Sequence, residues 1–474
     1  MKFRRIILVF STLLLIAIFV SGYVYASEKS QPNILVVLID DMGWSDLACF
    51  GNRQATTPNI DRLAAEGISF SQFYVCAPIC SPSRCGLTTG QYPYRWRINS
   101  YLDNRKRNQE RGIAQWLDPS APSLARFLKA NGYATGHFGK WHLGGQRDVS
   151  EAPLITRYGF DETLTNFEGL GPRVLPLLNV FDGAEPKKYS LGSDLLGHGE
   201  IHWIDRNQVT SCYAAKALEF IQQAEQNEKP FYVNLWTDDV HTPLFPAAEL
   251  RGDGKNRTLY YGVLQELDQQ LAPLLDYIRC SETLRNNTLI VLFSDNGPAP
   301  GVGSATPLRG RKGSLYEGGI RSPLIVWGDG FVDSELKGTR NNDAAFFSLD
   351  LVPSLLKITG TPPDSDIVFD GEDFSDVLLG KIKNQERNQP MFWRKPPGLT
   401  DPPNHAMPDL AMRKGNWKFV MQYDGTAPEL YDLNKNSPES NNLAESHPDL
   451  VEQFREELHQ WSESMPKDIE EKTP

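Results

Sequence analysis

Asn33-Ile34-Leu35-Val36-Val37-Leu38-Ile39 runs directly into Asp40-Asp41. Apart from Asn33 the run is wholly aliphatic, with no polar alternation, which predicts a strand buried on both faces. Such a strand belongs inside a sheet covered by helices. Further short apolar runs at 231–236, 289–293 and, after Pro323, 324–327 read the same way, and each is followed by polar residues or glycine. Helical patterns separate them. Thr57-Pro58-Asn59-Ile60-Asp61-Arg62-Leu63 predicts a helix with Thr57 as N-cap, Pro58 in the first turn and Gly67 as the stop. Residues 123–130, 260–278 and 348–358 predict others, Pro353 marking a start or kink in the last. The alternation indicates an α/β fold, a large mixed sheet flanked by helices.

Beyond about residue 360 the texture changes. Pro362-Pro363, Pro396-Pro397 and Pro402-Pro403 punctuate the chain, and residues 417–421 and 429–432 read as strands. A final helix sets Leu450, Val451, Phe454, Leu458 and Trp461 on one stripe. The expected organisation is a catalytic domain over 32–360 and a small C-terminal α+β subdomain over 361–474, an antiparallel sheet plus helix.

The 474 residues are 40% hydrophobic and 23% charged, which excludes a disordered tail, a coiled coil or a collagen-like repeat. The net charge is −11 and no basic stripe is visible, so nucleic acid is excluded as a partner. Lys2, Arg4 and Arg5, the apolar run from Ile6 to Val20, and Val24-Tyr25-Ala26 have the order of a secretory signal peptide over 1–26, cut after Ala26. The alternative is an uncleaved anchor. Cleavage leaves a secreted or periplasmic chain with no stable membrane span and a net charge of −14, since three positive and no negative charges depart.

Two of the strand runs end in similar pairs, Asp40-Asp41 and Asp295-Asn296. Ligands of open α/β sheets sit at the carboxyl ends of strands, so these oxygens can meet as a hard-cation site for Ca²⁺ or Mg²⁺. Either pair alone is more commonly a turn former. Three of the six cysteines, Cys76, Cys80 and Cys85, fall within ten residues. In Cys80-Ser81-Pro82-Ser83-Arg84, Ser81 and Pro82 predict an N-cap and first helical residue, which sets Cys80 just before a helix N-terminus, a place that favours an anion. Arg84, one turn in, can reach back to it.

These residues resemble the type I sulfatases, whose signature is Cys-x-Pro-x-Arg followed by Thr-Gly. It is intact at Cys80, Pro82, Ser83, Arg84, Thr89 and Gly90, with Thr88 the one departure. Further matches extend over about 32–360. They are Asp40-Asp41-Met42-Gly43-Trp44, the Thr57 helix, Gly139-Lys140-Trp141-His142-Leu143-Gly144, His241-Thr242-Pro243, Asp295-Asn296, Arg309-Gly310-Arg311-Lys312-Gly313 and Glu317-Gly318-Gly319. The arylsulfatase and N-acetylgalactosamine-6-sulfatase branch is the most similar.

The resemblance implies an alkaline-phosphatase-like fold and sulfate-ester hydrolysis. It implies that Cys80 is oxidised to Cα-formylglycine by a formylglycine-generating or anaerobic maturation enzyme, and that the aldehyde hydrate attacks sulfur and later expels sulfate. Asp40, Asp41, Asp295, Asn296 and residue 80 would hold the cation, Ca²⁺ ahead of Mg²⁺. Arg84 and Lys140 would stabilise the deprotonated diol and Lys312 the sulfate, while His241 protonates the leaving alcohol and His142 takes the proton that releases sulfate. Two other readings are a phosphoesterase of the same superfamily and an inactive glycan-binding relative. A secreted chain with Tyr94, Arg95, Trp96, Arg97, Tyr101, Arg105 and Arg107 close together suggests a sulfated carbohydrate as substrate, gripped by stacking and ion pairing, or equally a loop that these residues merely solvate and pack.

Overall fold

The computed structural model describes residues 31–178, 185–402 and 406–467. The expected signal peptide lies outside the described residues. Among those described, no helix is long and apolar enough to cross a membrane.

β1 (Asn33–Ile39) lies in the interior of a twelve-stranded mixed sheet. It pairs in parallel with β8 (Phe231–Trp236) on one side and β9 (Thr288–Ser294) on the other. β3 (Ala134–Gly139) continues the parallel order beyond β8, and β4 (Glu162–Thr165) beyond β3. β10 (Arg321–Trp327) joins β9 antiparallel, and β2 (Ile68–Tyr74) joins β10 the same way.

The absence of alternation in β1 has a direct cause. Ile34, Val36 and Leu38 enter one apolar core while Leu35, Val37 and Ile39 enter another, on opposite faces of the sheet. Helices Pro58–Glu66, Val209–Gln226 and Asn256–Cys280 supply the second core. Helices Leu124–Ala130 and Leu351–Thr359 supply the first. Pro353 stands in the opening turn of the latter, where its missing N–H costs nothing. Thr57 occupies the expected cap position, but its hydroxyl bonds to Asp61 and accepts from the Ala48 N–H instead of capping the helix.

A separate four-stranded antiparallel sheet contains Met391–Arg394, Leu410–Lys414, Trp417–Met421 and Glu429–Asp432. Helix Pro448–Ser464 buries Val451, Phe454, Leu458 and Trp461 against it. Trp461 stacks on Phe392 with ring centroids 4.9 Å apart. This sheet is keyed to the large one by a buried charge: Lys418 Nζ lies 3.1 Å from Glu317, 3.3 Å from Glu439 and 2.9 Å from the Leu315 carbonyl. Lys418→Ala takes the cation from buried Glu439 and leaves Glu317 to Arg321, 3.2 Å away. A loss of about 3–5 kcal/mol is expected, measured by urea unfolding.

Candidate active site

The four parallel strands β9-β1-β8-β3 end on one edge of the sheet, and their carboxyl ends carry the polar residues. β9 delivers Asp295 and Asn296, β1 delivers Asp40 and Asp41, β8 leads to His241, and β3 delivers Lys140 and His142. Gly139 makes the last exit possible: its φ is +117°, and a Cβ there would stand 1.9 Å from the Trp236 carbonyl. The Lys140 N–H donates to that same carbonyl at 2.7 Å. Asp41 and His142 also take left-handed backbone conformations, with φ of 61° and 55°. Such conformations cost about 1–3 kcal/mol each and persist where the surroundings impose them.

Helix Cys80–Thr89 enters from above, every residue buried. It begins earlier than the sequence suggests. The Ser83 N–H already reaches the Ile79 carbonyl, so Ile79 is the cap and Cys80 the first helical residue, while Ser81 is not a cap and its hydroxyl accepts from the Leu102 N–H at 3.0 Å. Cys80 therefore sits within the turn whose N–H groups lack helical partners. Gly86 lets the helix lie against Cys76, whose sulfur would be 2.4 Å from a Cβ at that position.

Around residue 80 the charges interlock. Arg84 donates Nε and Nη2 to Asp295 at 3.1 and 2.9 Å and Nη1 to the Lys140 carbonyl at 2.7 Å, and its Nη2 lies 3.3 Å from Asp40. Lys140 Nζ is 2.6 Å from Asp40, and Lys312 Nζ is 2.5 Å from Asp41. His241 Nε2 faces Asp41 at 3.7 Å, and its Nδ1 bonds the Thr242 carbonyl at 2.7 Å. Burial pushes the Asp40 carboxyl upward, but Lys140 and then Arg84 outweigh it and hold the group well below the usual range. Asp295, buried and beside Asp40, is pushed up to about 7 despite Arg84. Burial and then Lys140 lower the basicity of His241.

The donor set fits a hard divalent cation. The Oδ1 atoms of Asp40 and Asn296 are buried without a hydrogen-bond partner, although Asn296 Nδ2 is engaged by Asp41 at 2.8 Å. Ligand atoms of Asp40, Asp41 and Cys80 lie within 4.8 Å of one another. Oxygen donors suit Ca²⁺ or Mg²⁺. Thiol sulfur does not, and burial pushes the Cys80 thiol up to about 12, against Lys140 and Lys312, so an unaltered Cys80 would be a neutral thiol and a poor ligand or nucleophile. An oxygen-bearing derivative at residue 80 removes that mismatch.

Seven of the ten expected residues leave this strand edge, the helix adds Cys80 and Arg84 and a loop adds Lys312, but His142 joins the others through a residue the sequence did not single out. Glu168, buried in the loop after β4, lies 3.1 Å from Lys140 Nζ and 3.0 Å from His142 Nδ1. The basic and aromatic loop is largely engaged within the protein. Tyr94 is buried against Trp461, Arg95 pairs with Asp370, Arg105 with Glu151 and Arg107 with Asp103, and Arg111 covers the Tyr101 ring. No disulfide joins any two of the six cysteines.

The sulfatase family model matches residues 32–361. N-acetylgalactosamine-6-sulfatase of Canis lupus familiaris is 32% identical over 80% of this chain and 72% of its own length. N-acetylgalactosamine-6-O-sulfatase of Bacteroides thetaiotaomicron is 29% identical over 91% of this chain and 93% of its own. The solved structure of Ps i-CgsB, at 25% identity, superposes with a TM-score of 0.74 over 93% of this chain and 94% of that one. The family model covers the strand edge and the cysteine helix together, and on that extent of likeness, with the relatives' identity, the chain belongs to the sulfatase family of sulfuric ester hydrolases.

Proposed function

We propose that this hydrolase removes sulfate from a sulfated carbohydrate, with residue 80 acting as formylglycine and a Ca²⁺ ion bound by Asp40, Asp41, Asp295 and Asn296. The observation that carries the reading is the position of Cys80, first in a buried helix, beside Asp41 and beside Asp40, whose Oδ1 is unpartnered, and within the field of Arg84, Lys140 and Lys312. When present, the hydrated aldehyde supplies an oxygen nucleophile and the cation a Lewis acid for a sulfate oxygen. The chain's own residues do the rest. Arg84 and Lys140 concentrate positive charge at residue 80, and Lys312 extends it from the opposite side, so an anionic ester is drawn in rather than repelled. His241, with its Nδ1 tied to the Thr242 carbonyl, presents Nε2 toward the pocket as the acid for the departing alcohol. His142 serves as the base.

Export through the signal peptide and maturation by a formylglycine-generating or anaerobic enzyme belong to the same reading. Mass analysis of the peptide containing residue 80 tests it: an aldehyde in active protein is expected, and an unaltered cysteine there overturns it. Chelation should remove activity and Ca²⁺ restore it.

The relatives' names make a 6-O-sulfated N-acetylgalactosamine the first probe, followed by sulfated galactans, fucans and glycosaminoglycans. Turnover of small aryl sulfates with none of these glycans refutes the carbohydrate assignment. Lys312→Ala is expected to lower kcat by roughly 10²–10³-fold, as loss of one preorganised charge donor does, measured on an aryl sulfate.

A further inference from the structure

We propose that Glu168 is a positioning residue of this reaction, fixing the His142 ring and its proton arrangement while sharing the Lys140 ammonium with Asp40. The inference rests on the functional reading above for the roles of His142 and Lys140; the contacts themselves do not.

Glu168 and His142 are built as one piece. The His142 N–H donates to the Glu168 carbonyl at 2.8 Å, and the Glu168 N–H is held by Asn166 Oδ1 at 2.8 Å. The side chains then meet again, Glu168 Oε2 to His142 Nδ1 at 3.0 Å. On the far side of the ring, Nε2 is 2.8 Å from the Leu102 carbonyl. A carbonyl can only accept, so Nε2 carries a hydrogen, and Nδ1 is the nitrogen left to gain or lose a proton. It does so facing a carboxylate, which also only accepts. A proton reaching Nδ1 therefore gains a charge-assisted hydrogen bond and a counter-charge on that same nitrogen. Burial lowers the basicity of His142, Lys140 lowers it further, and Glu168 and then the Leu102 carbonyl oppose both.

Glu168 keeps its own charge because His142 and Lys140 hold it far below the ordinary carboxylate range against burial. Lys140 Nζ bridges Asp40 at 2.6 Å and Glu168 at 3.1 Å. The Leu102 carbonyl thus keeps a hydrogen on Nε2, while Glu168 holds the ring from the Nδ1 side, offers a proton there its acceptor, and shares the lysine with the metal aspartate.

The test uses the full-length, matured protein and the variants Glu168→Gln, Glu168→Asp and Glu168→Ala, each assayed on an aryl sulfate and melted. Ring nitrogen shifts of His142 are read by NMR on ¹⁵N-histidine protein. Glu168→Gln, nearly isosteric, is expected to lose roughly 10–100-fold in kcat with KM within about 3-fold and an unchanged melting temperature, and Glu168→Asp to recover part of kcat. The wild-type ring should show a protonated Nε2 and an Nδ1 shifted by the carboxylate, a shift lost in Glu168→Gln. Unchanged kcat in Glu168→Gln overturns the proposal, as does a loss that only tracks melting temperature across the three variants. If the wild type turns over no sulfate ester, the functional reading has failed. The ring spectra then decide for Glu168: a shift present in wild type and lost in Glu168→Gln upholds the pairing, and identical spectra overturn it.

Discussion

Cys80→Ala is expected to abolish sulfate-ester hydrolysis, a fall of roughly 10⁴-fold or more, the scale seen when a covalent nucleophile is removed. The reason is local. The Cys80 side chain fills the point on which Asp40, Asp41, Lys140 and Lys312 converge. The variant should still fold, because the helix is held by Arg84, by Ser81 against Leu102 and by Gly86 against Cys76. Its melting temperature should stay near that of the wild type while kcat vanishes. Cys80→Ser separates two ideas that Cys80→Ala cannot. A serine hydroxyl can attack sulfur, but it has no second hydroxyl with which to expel the sulfate it acquires. The expected result is at most one equivalent of alcohol released per protein, with the added sulfate visible in the mass of the residue-80 peptide. Multiple turnovers from an unmodified serine at 80 would show that formylglycine chemistry is not required.

What the sequence disclosed about this site followed from how each strand is buried. β1 is legible because neighbouring residues enter opposite cores, so both faces had to be apolar. β3 is not: Ala134-Thr135-Gly136-His137-Phe138-Gly139 contains two glycines and a histidine that packs between Trp141, Trp236 and Phe160. A Cβ at Gly136 would meet the Phe138 ring at 2.7 Å and Phe220 at 3.2 Å, and one at Gly139 the Trp236 backbone, far away in the chain. Lys140 and His142 were therefore found by resemblance to a motif and not by recognising the strand that carries them. β4 is a harder case. Glu162-Thr163-Leu164-Thr165 has one aliphatic residue and no periodicity, so nothing announced that its end lies beside Lys140, and Glu168 passed as one acid among many. The error at Ser81 is of another kind. A serine before a proline is a sound cap signal, but Ile79 is extended and its carbonyl accepts the Ser83 N–H, which starts the helix two residues sooner and frees Ser81 for Leu102.

Arg84→Ala should damage stability and activity together. Its guanidinium is fully buried and makes three contacts no shorter side chain can reproduce: two N–H groups on Asp295 and one on the Lys140 carbonyl, with Asp40 at 3.3 Å. Removing it leaves buried carboxylates facing one another, and Asp295 is already pushed up to about 7 with Arg84 in place, burial and Asp40 being the causes. Truncating one partner of a buried pair costs about 3–5 kcal/mol, measured here by urea or thermal unfolding. A bound divalent cation can replace part of the lost positive charge, so the variant's melting temperature should fall further on chelation than the wild type's does. Arg84→Lys distinguishes charge from geometry. Lysine restores the charge but not the planar fork, so it should recover part of the stability while kcat stays depressed. Full recovery of kcat in Arg84→Lys would mean that only the charge matters. An unchanged melting temperature in Arg84→Ala would mean that the buried network does not hold the two strand ends together.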